Sequence, residues 1–152
     1  MRAFINPTKG CSPMRQPEAL ARAFYEPFNT GETAIYDEIL APDWADHPPH
    51  FPDQGPGREP WKQIVAYFRT SAPDLQIVND DILVVGDKVA VRSTFRGTHQ
   101  GELLGIPPTG KPIEAMAIDF HRIENGQIAE TWHVEDYRTV FAQLGVAFTV
   151  AP

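Results

Sequence analysis

The chain has 152 residues, of which 42% are hydrophobic and 22% charged, and its formal net charge is −7. One domain with a core and an internal pocket accounts for this length, and no run approaches the roughly 20 apolar residues of a membrane span. The basic residues are scattered, which argues against a nucleic-acid partner. Cys11 has no cysteine to pair with and the N-terminus lacks the apolar core of a secretory signal, so we expect a cytoplasmic protein.

The first half of the chain predicts helices. Residues 1–16 carry prolines without an apolar period, and we interpret them as a flexible leader before a single domain at 17–149. Apolar residues then recur at helical spacing from residue 17 to a stop at 29–31, over 33–40 and over 61–71. The segment 42–60 between the last two is rich in proline, so we interpret it as a long loop, and long loops in compact domains are often functional.

The second half of the chain predicts an antiparallel sheet. Residues 75–85 and 88–99 alternate apolar and polar side chains on either side of Gly86-Asp87, and 113–136 alternate around Asn125-Gly126. A loop at 100–111 joins these hairpins, and a closing helix is predicted at 137–144. Helices followed by hairpins, without strand–helix–strand alternation, indicate an α+β fold in which a curved sheet wraps around helices.

The second hairpin carries unusual chemistry for a sheet. Ionisable side chains stand where a strand normally has apolar or β-branched ones, namely Asp119, His121, His133, Glu135 and Asp136. Burying such groups is costly unless they are paired. We therefore interpret this hairpin as one wall of an active site.

An ordered run of motifs follows the chain: WADHPP at 44–49, APDL at 72–75, GTHQGELLGIPPTGK at 97–111, IDFHRIENGQIAETWHVEDY at 118–137 and AQLG at 142–145. Together they resemble the SnoaL-like polyketide cyclase (ester cyclase) family of the nuclear-transport-factor-2-like superfamily. The resemblance implies a cone-shaped α+β fold, in which a strongly curved, mostly antiparallel sheet packs on N-terminal helices around a central pocket. Members close a ring of an aromatic polyketide ester by aldol condensation, without a metal or organic cofactor.

The turn of the second hairpin decides which residues share a face. A two-residue turn at Asn125-Gly126 leaves Asp119 and His133 on opposite faces. A three-residue turn with Gly126 as its left-handed bulge residue shifts the register by one and places Asp119 diagonal to His133. We favour the second register, because it separates two faces: Ile118, Phe120, Ile128, Trp132 and Val134 on one, and Ala117, Asp119, Thr131, His133 and Glu135 on the other.

Asp119 and His133 are the candidate catalytic residues. On one face they form an acid/base dyad, in which one group removes a proton next to a carbonyl and the other protonates or hydrogen-bonds the oxygen. In the family that the chain resembles, an aspartate aligns near His133 and a histidine near Asp119, so the two residue types are exchanged here. The exchange is compatible with a dyad of reversed roles or with a different reaction.

Five further residues are candidates for substrate binding. The resemblance places His47 at the pocket mouth, while His99 ends its strand beside the 100–111 loop. Tyr25 lies on the helix that floors the pocket, and Thr131 and Glu135 share the reactive face. Four other interpretations complete the site: solvent-facing positions for His50 and His121, a helix cap for Asp136, and a structural ion pair for Arg122 with Glu130.

The functional prediction is a cofactor-free acid/base enzyme that acts on a small, largely apolar carbonyl compound as a cyclase or isomerase. No metal is predicted, since the chain has neither a cysteine cluster nor H-x-x-x-H. An epoxide-opening hydrolase, with paired aspartates and an arginine, and a non-catalytic ligand-binding or dimerisation module remain as alternatives. We also expect a homodimer or higher homo-oligomer, because an open sheet with an apolar outer face tends to be covered.

Overall fold

Three helices precede the two hairpins in residues 16–147, the part of the chain that the computed structural model describes. Helix α1 (Pro17–Thr30) has a proline in its first turn, where the missing N–H is not needed, and it ends at Gly31 in the left-handed conformation. A short 3-10 turn leads into α2 (Tyr36–Ile39), and α3 (Arg58–Ser71) follows. The three predicted helices are confirmed. Of the predicted leader, residues 1–16, all but Gln16 lie outside the described residues.

The sheet has five strands: β1 (Leu40–His47), β2 (Gln76–Val85), β3 (Lys88–Thr98), β4 (Pro112–Glu124) and β5 (Gln127–Glu135). Their order is β1-β5-β4-β3-β2, with β1 parallel to β5 and every other pair antiparallel. Helix α4 (Tyr137–Leu144) closes the chain, and Asp136 caps it by accepting from the Thr139 N–H. The α+β prediction with a curved, mostly antiparallel sheet is confirmed.

Strand β1 was not predicted, and its sequence explains why. Pro42 and Asp43 interrupt the apolar alternation that identifies a strand, and the pairing with β5 is irregular between Leu40 and Ala45. A proline is tolerated there because β1 is an edge strand, with no ladder hydrogen bond required at that position. The predicted 42–60 loop therefore begins within a strand.

The turn of the β4–β5 hairpin has two residues. Glu124 pairs with Gln127, and both Asn125 (φ 51) and Gly126 (φ 75) have the positive φ that a type I′ turn requires. The predicted three-residue turn is wrong. An asparagine followed by a glycine is the combination that adopts two successive left-handed conformations at least cost.

A β-bulge next to this turn nevertheless restores the shared face. Ile123 pairs with Ile128 but Arg122 pairs with Glu130, so Ala129 is an extra residue in β5. The bulge shifts every later pair by one position. As a consequence, Asp119 lies directly opposite His133, rather than diagonal to it.

The inner face of the sheet packs on α1 and α3 and forms the core. Its largest fully buried side chains include Phe24, Trp44, Tyr36 and Ile128, and each contributes roughly 1.5–3 kcal/mol by leaving water. Ile128 was expected on the outer face, but it precedes the bulge and so points inward. The outer face carries exposed apolar side chains: Met116, Phe120, Trp132 and Val134. None of the described helices is long and apolar enough to cross a membrane.

Candidate active site

A cavity of about 80 Å³ lies between the helices and the inner face of the sheet. Its wall is mainly aromatic and aliphatic, and includes Phe24, Phe28, Trp61, Phe68 and Ile113. A shallower groove of about 380 Å³ shares five wall residues with the cavity: His50, Phe68, His133, Glu135 and Tyr137. The cavity alone is smaller than the roughly 300–1,000 Å³ of typical ligand pockets, so the adjacent groove is the space into which a larger ligand would extend.

Asp119 is the buried carboxyl group of this cavity, with 6% of its surface exposed. Its Oδ2 accepts a hydrogen bond of 2.9 Å from the Tyr25 hydroxyl, while Oδ1 has no hydrogen-bond partner within residues 16–147. Burial raises the pKa of Asp119 to about 7, although the Tyr25 hydrogen bond acts in the opposite direction. A group with this pKa both accepts and donates a proton near neutral pH, as a general base requires.

His133 has an acceptor at each ring nitrogen. Its Nε2 lies 2.7 Å from the Pro48 carbonyl oxygen and 3.2 Å from Asp46 Oδ1, and its Nδ1 lies 2.9 Å from Glu135 Oε1. Both nitrogens must therefore carry protons, which makes the ring an imidazolium. Burial alone lowers the pKa of His133, but the nearby carboxylate of Asp46 and the hydrogen bond to Glu135 outweigh it and raise the value to about 10.

His50 completes a four-membered network that we call the quartet: Asp46, His50, His133 and Glu135. The two imidazole rings stack with centroids 4.1 Å apart and planes 14° apart. His50 Nδ1 lies 3.1 Å from Asp46 Oδ2, and its Nε2 lies 3.5 Å from Glu135 Oε1. Each carboxylate thus bridges both rings, and opposite charges alternate around the network.

The carboxylates of the quartet stay ionised over the physiological range. Burial raises the pKa of Asp46 and of Glu135, but the hydrogen bonds and ion pairs that each makes with His133 and His50 dominate and bring both values to about 2. The predicted solvent-facing position of His50 is wrong, since only 7% of its side chain is exposed. Its burial follows from the two carboxylates, which compensate the charge on the ring.

Three members of the quartet place ligand atoms within 4.8 Å of one another, a spacing compatible with a metal ion. A metal binds the lone pair of an imidazole nitrogen, which lies in the plane of the ring. The stacked rings have nearly parallel planes and centroids 4.1 Å apart, so they cannot both direct lone pairs at one ion in this arrangement. The nitrogens of His133 also face acceptors, which favours protons on them. The arrangement is that of an ion-pair network.

Asp119 and His133 line the same cavity but are not hydrogen-bonded to each other. Asp119 instead begins a neutral chain that runs through Tyr25, whose hydroxyl lies 3.1 Å from His121 Nε2. His121 was predicted to face solvent, which is wrong: it is 0% exposed, because it shares the inner face with Asp119. Burial lowers its pKa to about 3, so the ring is neutral.

The other predicted binding residues fall into two groups. Tyr25, Thr131 and Glu135 belong to the cavity wall. His47 does not, because it lies beside Trp132 on the outer face and stacks on it at 5.2 Å. His99 is fully buried away from the described wall, where its Nδ1 lies 3.0 Å from Thr109 Oγ1 and its backbone holds the 100–111 loop.

Asp46 and His50 are the site residues that sequence reasoning missed. Asp46 lies beside Thr131 in the β1–β5 pair and therefore points inward, whereas its neighbour His47 points outward. The alternation of a strand would have indicated this, had residues 40–47 been recognised as one. Arg122 binds Glu130 at 2.7 Å outside the cavity wall, which confirms the predicted ion pair and removes from the site the arginine considered for a hydrolase.

Comparison with known proteins gives a consistent result. The family model described as SnoaL-like polyketide cyclase matches residues 18–144. The nogalonic acid methyl ester cyclase of Streptomyces nogalater is 29% identical over 121 residues, covering 78% of this chain and 89% of that protein. The aklanonic acid methyl ester cyclase of Streptomyces peucetius is 28% identical over 132 residues, covering 83% and 88% respectively. The structure of TsrD from Streptomyces laurentii matches with a TM-score of 0.79 and 30% identity, covering 86% of this chain and 95% of that one.

Proposed function

The chain belongs to the SnoaL-like polyketide cyclase family, and we propose that it closes a ring in a polyketide ester by intramolecular aldol addition, through acid/base chemistry without a cofactor. One observation carries the proposal. Asp119 is a carboxyl group with a pKa of about 7 in a largely apolar wall, and the imidazolium of His133 lines the same cavity. A base and a positive charge that face one apolar space are what enolate chemistry requires.

Asp119 acts as the base in this mechanism. Its free Oδ1 takes a proton from the acidic carbon between two carbonyl groups, and the electron pair of the broken C–H bond forms an enolate. The enolate carbon attacks a ketone carbon of the same molecule, and the new C–C bond leaves an alkoxide. Asp119 returns its proton to the alkoxide, so substrate and product are isomers. Positioned proton transfer of this kind contributes about 10²–10⁴-fold to the rate.

His133 acts through its charge. Both of its N–H groups are held by the Pro48 carbonyl and the carboxylates of Asp46 and Glu135, so it does not need to lose a proton during the reaction. A fixed positive charge in an apolar cavity stabilises the enolate and the alkoxide more strongly than it would in water. Glu135, a predicted binding residue, serves in this proposal to hold His133.

The substrate class follows from the relatives and from the shape of the site. Two of the similar proteins are methyl ester cyclases by name, of nogalonic and aklanonic acid. We extend this class, an aromatic polyketide methyl ester, to the present chain. The reacting carbons fit the cavity of about 80 Å³, and the remaining rings lie in the adjoining groove of about 380 Å³.

The test is an assay of the purified protein with nogalonic and aklanonic acid methyl esters, following the ring-closed product by chromatography. We expect turnover by the wild type and a loss of about 10²–10⁴-fold in Asp119→Asn. Asp87→Asn, in an exposed turn, is the matched control and should retain full activity. Wild-type activity in Asp119→Asn would refute the assigned base.

A ligand-binding module is the second candidate, and the small cavity of about 80 Å³ is the observation that favours it. In that case both esters bind without conversion, and Asp119→Asn binds them as the wild type does. Isothermal titration with each ester, run beside the activity assay, separates the two functions.

We also propose that the exposed apolar side chains of the outer face, Met116, Phe120, Trp132 and Val134, pair with a second copy of the chain. Val134 is 63% exposed and lies within this patch, whereas Val85 is 76% exposed at the tip of the β2–β3 hairpin. Sedimentation velocity should show an oligomer for the wild type and for Val85→Glu, but a monomer for Val134→Glu. An oligomer that persists in Val134→Glu would exclude this interface.

A further inference from the structure

A chain of hydrogen bonds runs from the core to the candidate base. Trp44 Nε1 donates to Thr131 Oγ1 at 3.1 Å, and Thr131 Oγ1 lies 3.0 Å from His121 Nδ1. His121 Nε2 lies 3.1 Å from the Tyr25 hydroxyl, which in turn lies 2.9 Å from Asp119 Oδ2. None of these five side chains is more than 6% exposed, so each proton in the chain must find its acceptor within the protein.

The direction of this chain can be deduced from its inner end. An indole N–H only donates, so Thr131 Oγ1 is an acceptor towards Trp44. Within residues 16–147, the one other hydrogen-bond partner of that hydroxyl is His121 Nδ1. The hydroxyl proton is therefore satisfied only if it points at Nδ1, which makes Nδ1 an acceptor. An inverted arrangement would leave a buried hydroxyl proton without a partner, at a cost of about 1–3 kcal/mol.

The tautomer of His121 fixes the remaining links. A neutral imidazole that accepts at Nδ1 carries its proton at Nε2, and Nε2–H donates to the Tyr25 oxygen. Because the Tyr25 oxygen accepts this hydrogen bond from His121, the Tyr25 hydroxyl proton is free to point at Asp119 Oδ2. A cationic His121 would break this order, but its full burial beside Phe24 and near the positive charge of His133 opposes a second proton.

We propose that Trp44, Thr131, His121 and Tyr25 are positioning residues that act as a one-way hydrogen-bond chain, which keeps Asp119 Oδ2 an acceptor and confines the exchangeable proton to Oδ1. The inference rests on the proposed role of Asp119 as the base. Proton removal and proton return then occur at a single oxygen atom, the one without a hydrogen-bond partner within residues 16–147. Thr131, predicted from the sequence to contact substrate, acts instead three hydrogen bonds behind the reacting carboxyl group.

The first experiment needs no substrate. Long-range proton–nitrogen NMR spectra of histidine-labelled protein distinguish a protonated Nε2 from a protonated Nδ1. We expect His121 to remain in the Nε2–H tautomer throughout the titration of Asp119. The Nδ1–H tautomer, or a change to it as Asp119 gains its proton, would overturn the one-way chain, whether or not the protein proves to be a cyclase.

The second experiment tests the far end of the chain. The carboxyl carbon of Asp119 reports its pKa by NMR, and removal of the Tyr25 hydroxyl in Tyr25→Phe should raise that pKa by about one to two units. The charged or titratable groups that surround Asp119 in the described cavity wall and in its hydrogen-bond chain are Tyr25 on α1, Asp46 on β1, His50 on the following segment, His121 on its own strand, His133 and Glu135 on β5, and Tyr137 on α4. Ser93→Ala removes another buried hydroxyl of the same wall and should leave the pKa unchanged. No shift in Tyr25→Phe would refute the last link.

The third experiment tests the anchor. In Thr131→Val the indole proton of Trp44 loses its acceptor, so its NMR signal should move upfield, whereas Thr131→Ser should restore it. An unchanged Trp44 signal in Thr131→Val would contradict the assigned link. In the ester assay the same pair separates positioning from binding: Thr131→Val should lower kcat with little change in KM, and Thr131→Ser should recover kcat. A change confined to KM would instead return Thr131 to substrate contact.

Discussion

Two polar networks face one cavity, and they have opposite effects on the protonation of their ionisable groups. In the quartet, carboxylates and imidazoliums pair directly, so the pKa of Asp46 falls to about 2 and that of His133 rises to about 10. In the one-way chain the partners of Asp119 are neutral, and its pKa is about 7. Direct pairing makes charges permanent, whereas burial beside neutral donors leaves one group able to exchange a proton. The same residue type, histidine, is a cation in one network and neutral in the other.

The largest effect on turnover should come from substitution of Asp119, the group that exchanges a proton in the proposed reaction. Asp119→Asn is expected to lose about 10²–10⁴-fold in turnover, while stability at pH 8 rises by on the order of 4 kcal/mol. Stability rises because the pKa of Asp119 is raised on folding, so above about pH 7 the folded protein holds a poorly solvated carboxylate that the substitution removes. Urea denaturation beside the activity assay checks both. A variant that loses activity and stability together would show that Asp119 is a structural group.

A substitution in the quartet should lower the stability by a large amount, whereas Asp119→Asn should raise it. Asp46→Asn leaves two stacked imidazole rings with one carboxylate, and breaking a buried pair costs about 3–5 kcal/mol. Asp43→Asn, an exposed aspartate on the same strand, is the control and should stay within about 0.5 kcal/mol. Denaturation of both variants at the same pH gives the comparison. Equal stabilities would mean that the quartet is held by packing rather than by charge.

The pH dependence of stability should distinguish the contribution of Asp119 from that of His121. Between about pH 4 and 6.5 the folded protein holds a proton on Asp119 that the unfolded chain lacks, because the pKa of Asp119 is raised to about 7. Over the same window the unfolded chain holds a proton on His121 that the folded protein lacks, because that pKa is lowered to about 3. The first effect favours folding on acidification and the second opposes it, so they cancel.

Asp119→Asn removes the first effect alone. Its stability relative to the wild type should therefore fall on acidification through that window, by up to about 1.4 kcal/mol per pH unit. Denaturation curves at a series of pH values measure the difference. A difference that does not change with pH would show that the pKa of Asp119 is not raised by folding.

The smallest effects compare two buried hydroxyl groups. Thr131→Val deprives both Trp44 and His121 of a partner and should cost about 1–3 kcal/mol. Ser93→Ala removes a hydroxyl that has no hydrogen-bond partner within the described residues, so its effect on the free energy of unfolding should be near zero. Thermal denaturation of the two variants tests whether the chain is energetically coupled. If Ser93→Ala lowered the stability as much as Thr131→Val, the hydrogen bonds of Thr131 would not account for its effect.

Local sequence rules predicted most of the elements, because Gly31, the Gly86-Asp87 turn and the Asp136 cap act over a few residues. They did not predict β1, whose pairing with β5 depends on residues far away in the chain. Because that strand was not predicted, the inward direction of Asp46 was not predicted either. Asp46 is the partner that makes the burial of His50 possible. The candidate base was found because a carboxyl group in an apolar alternation is conspicuous, but three of the four neutral side chains in its hydrogen-bond chain come from other elements, α1, β1 and β5.

The bulge at Ala129 gives the whole site a single-residue dependence. A regular ladder that paired Ala129 with Arg122 would exchange the inside and outside of β5 beyond it, sending Thr131, His133 and Glu135 to the outer face. Trp132 and Val134 would then fill the cavity. Loss of this one bulge with Ala129 retained would thus dismantle both networks at once, so the spacing of the strand matters to the candidate site as much as the residues it carries.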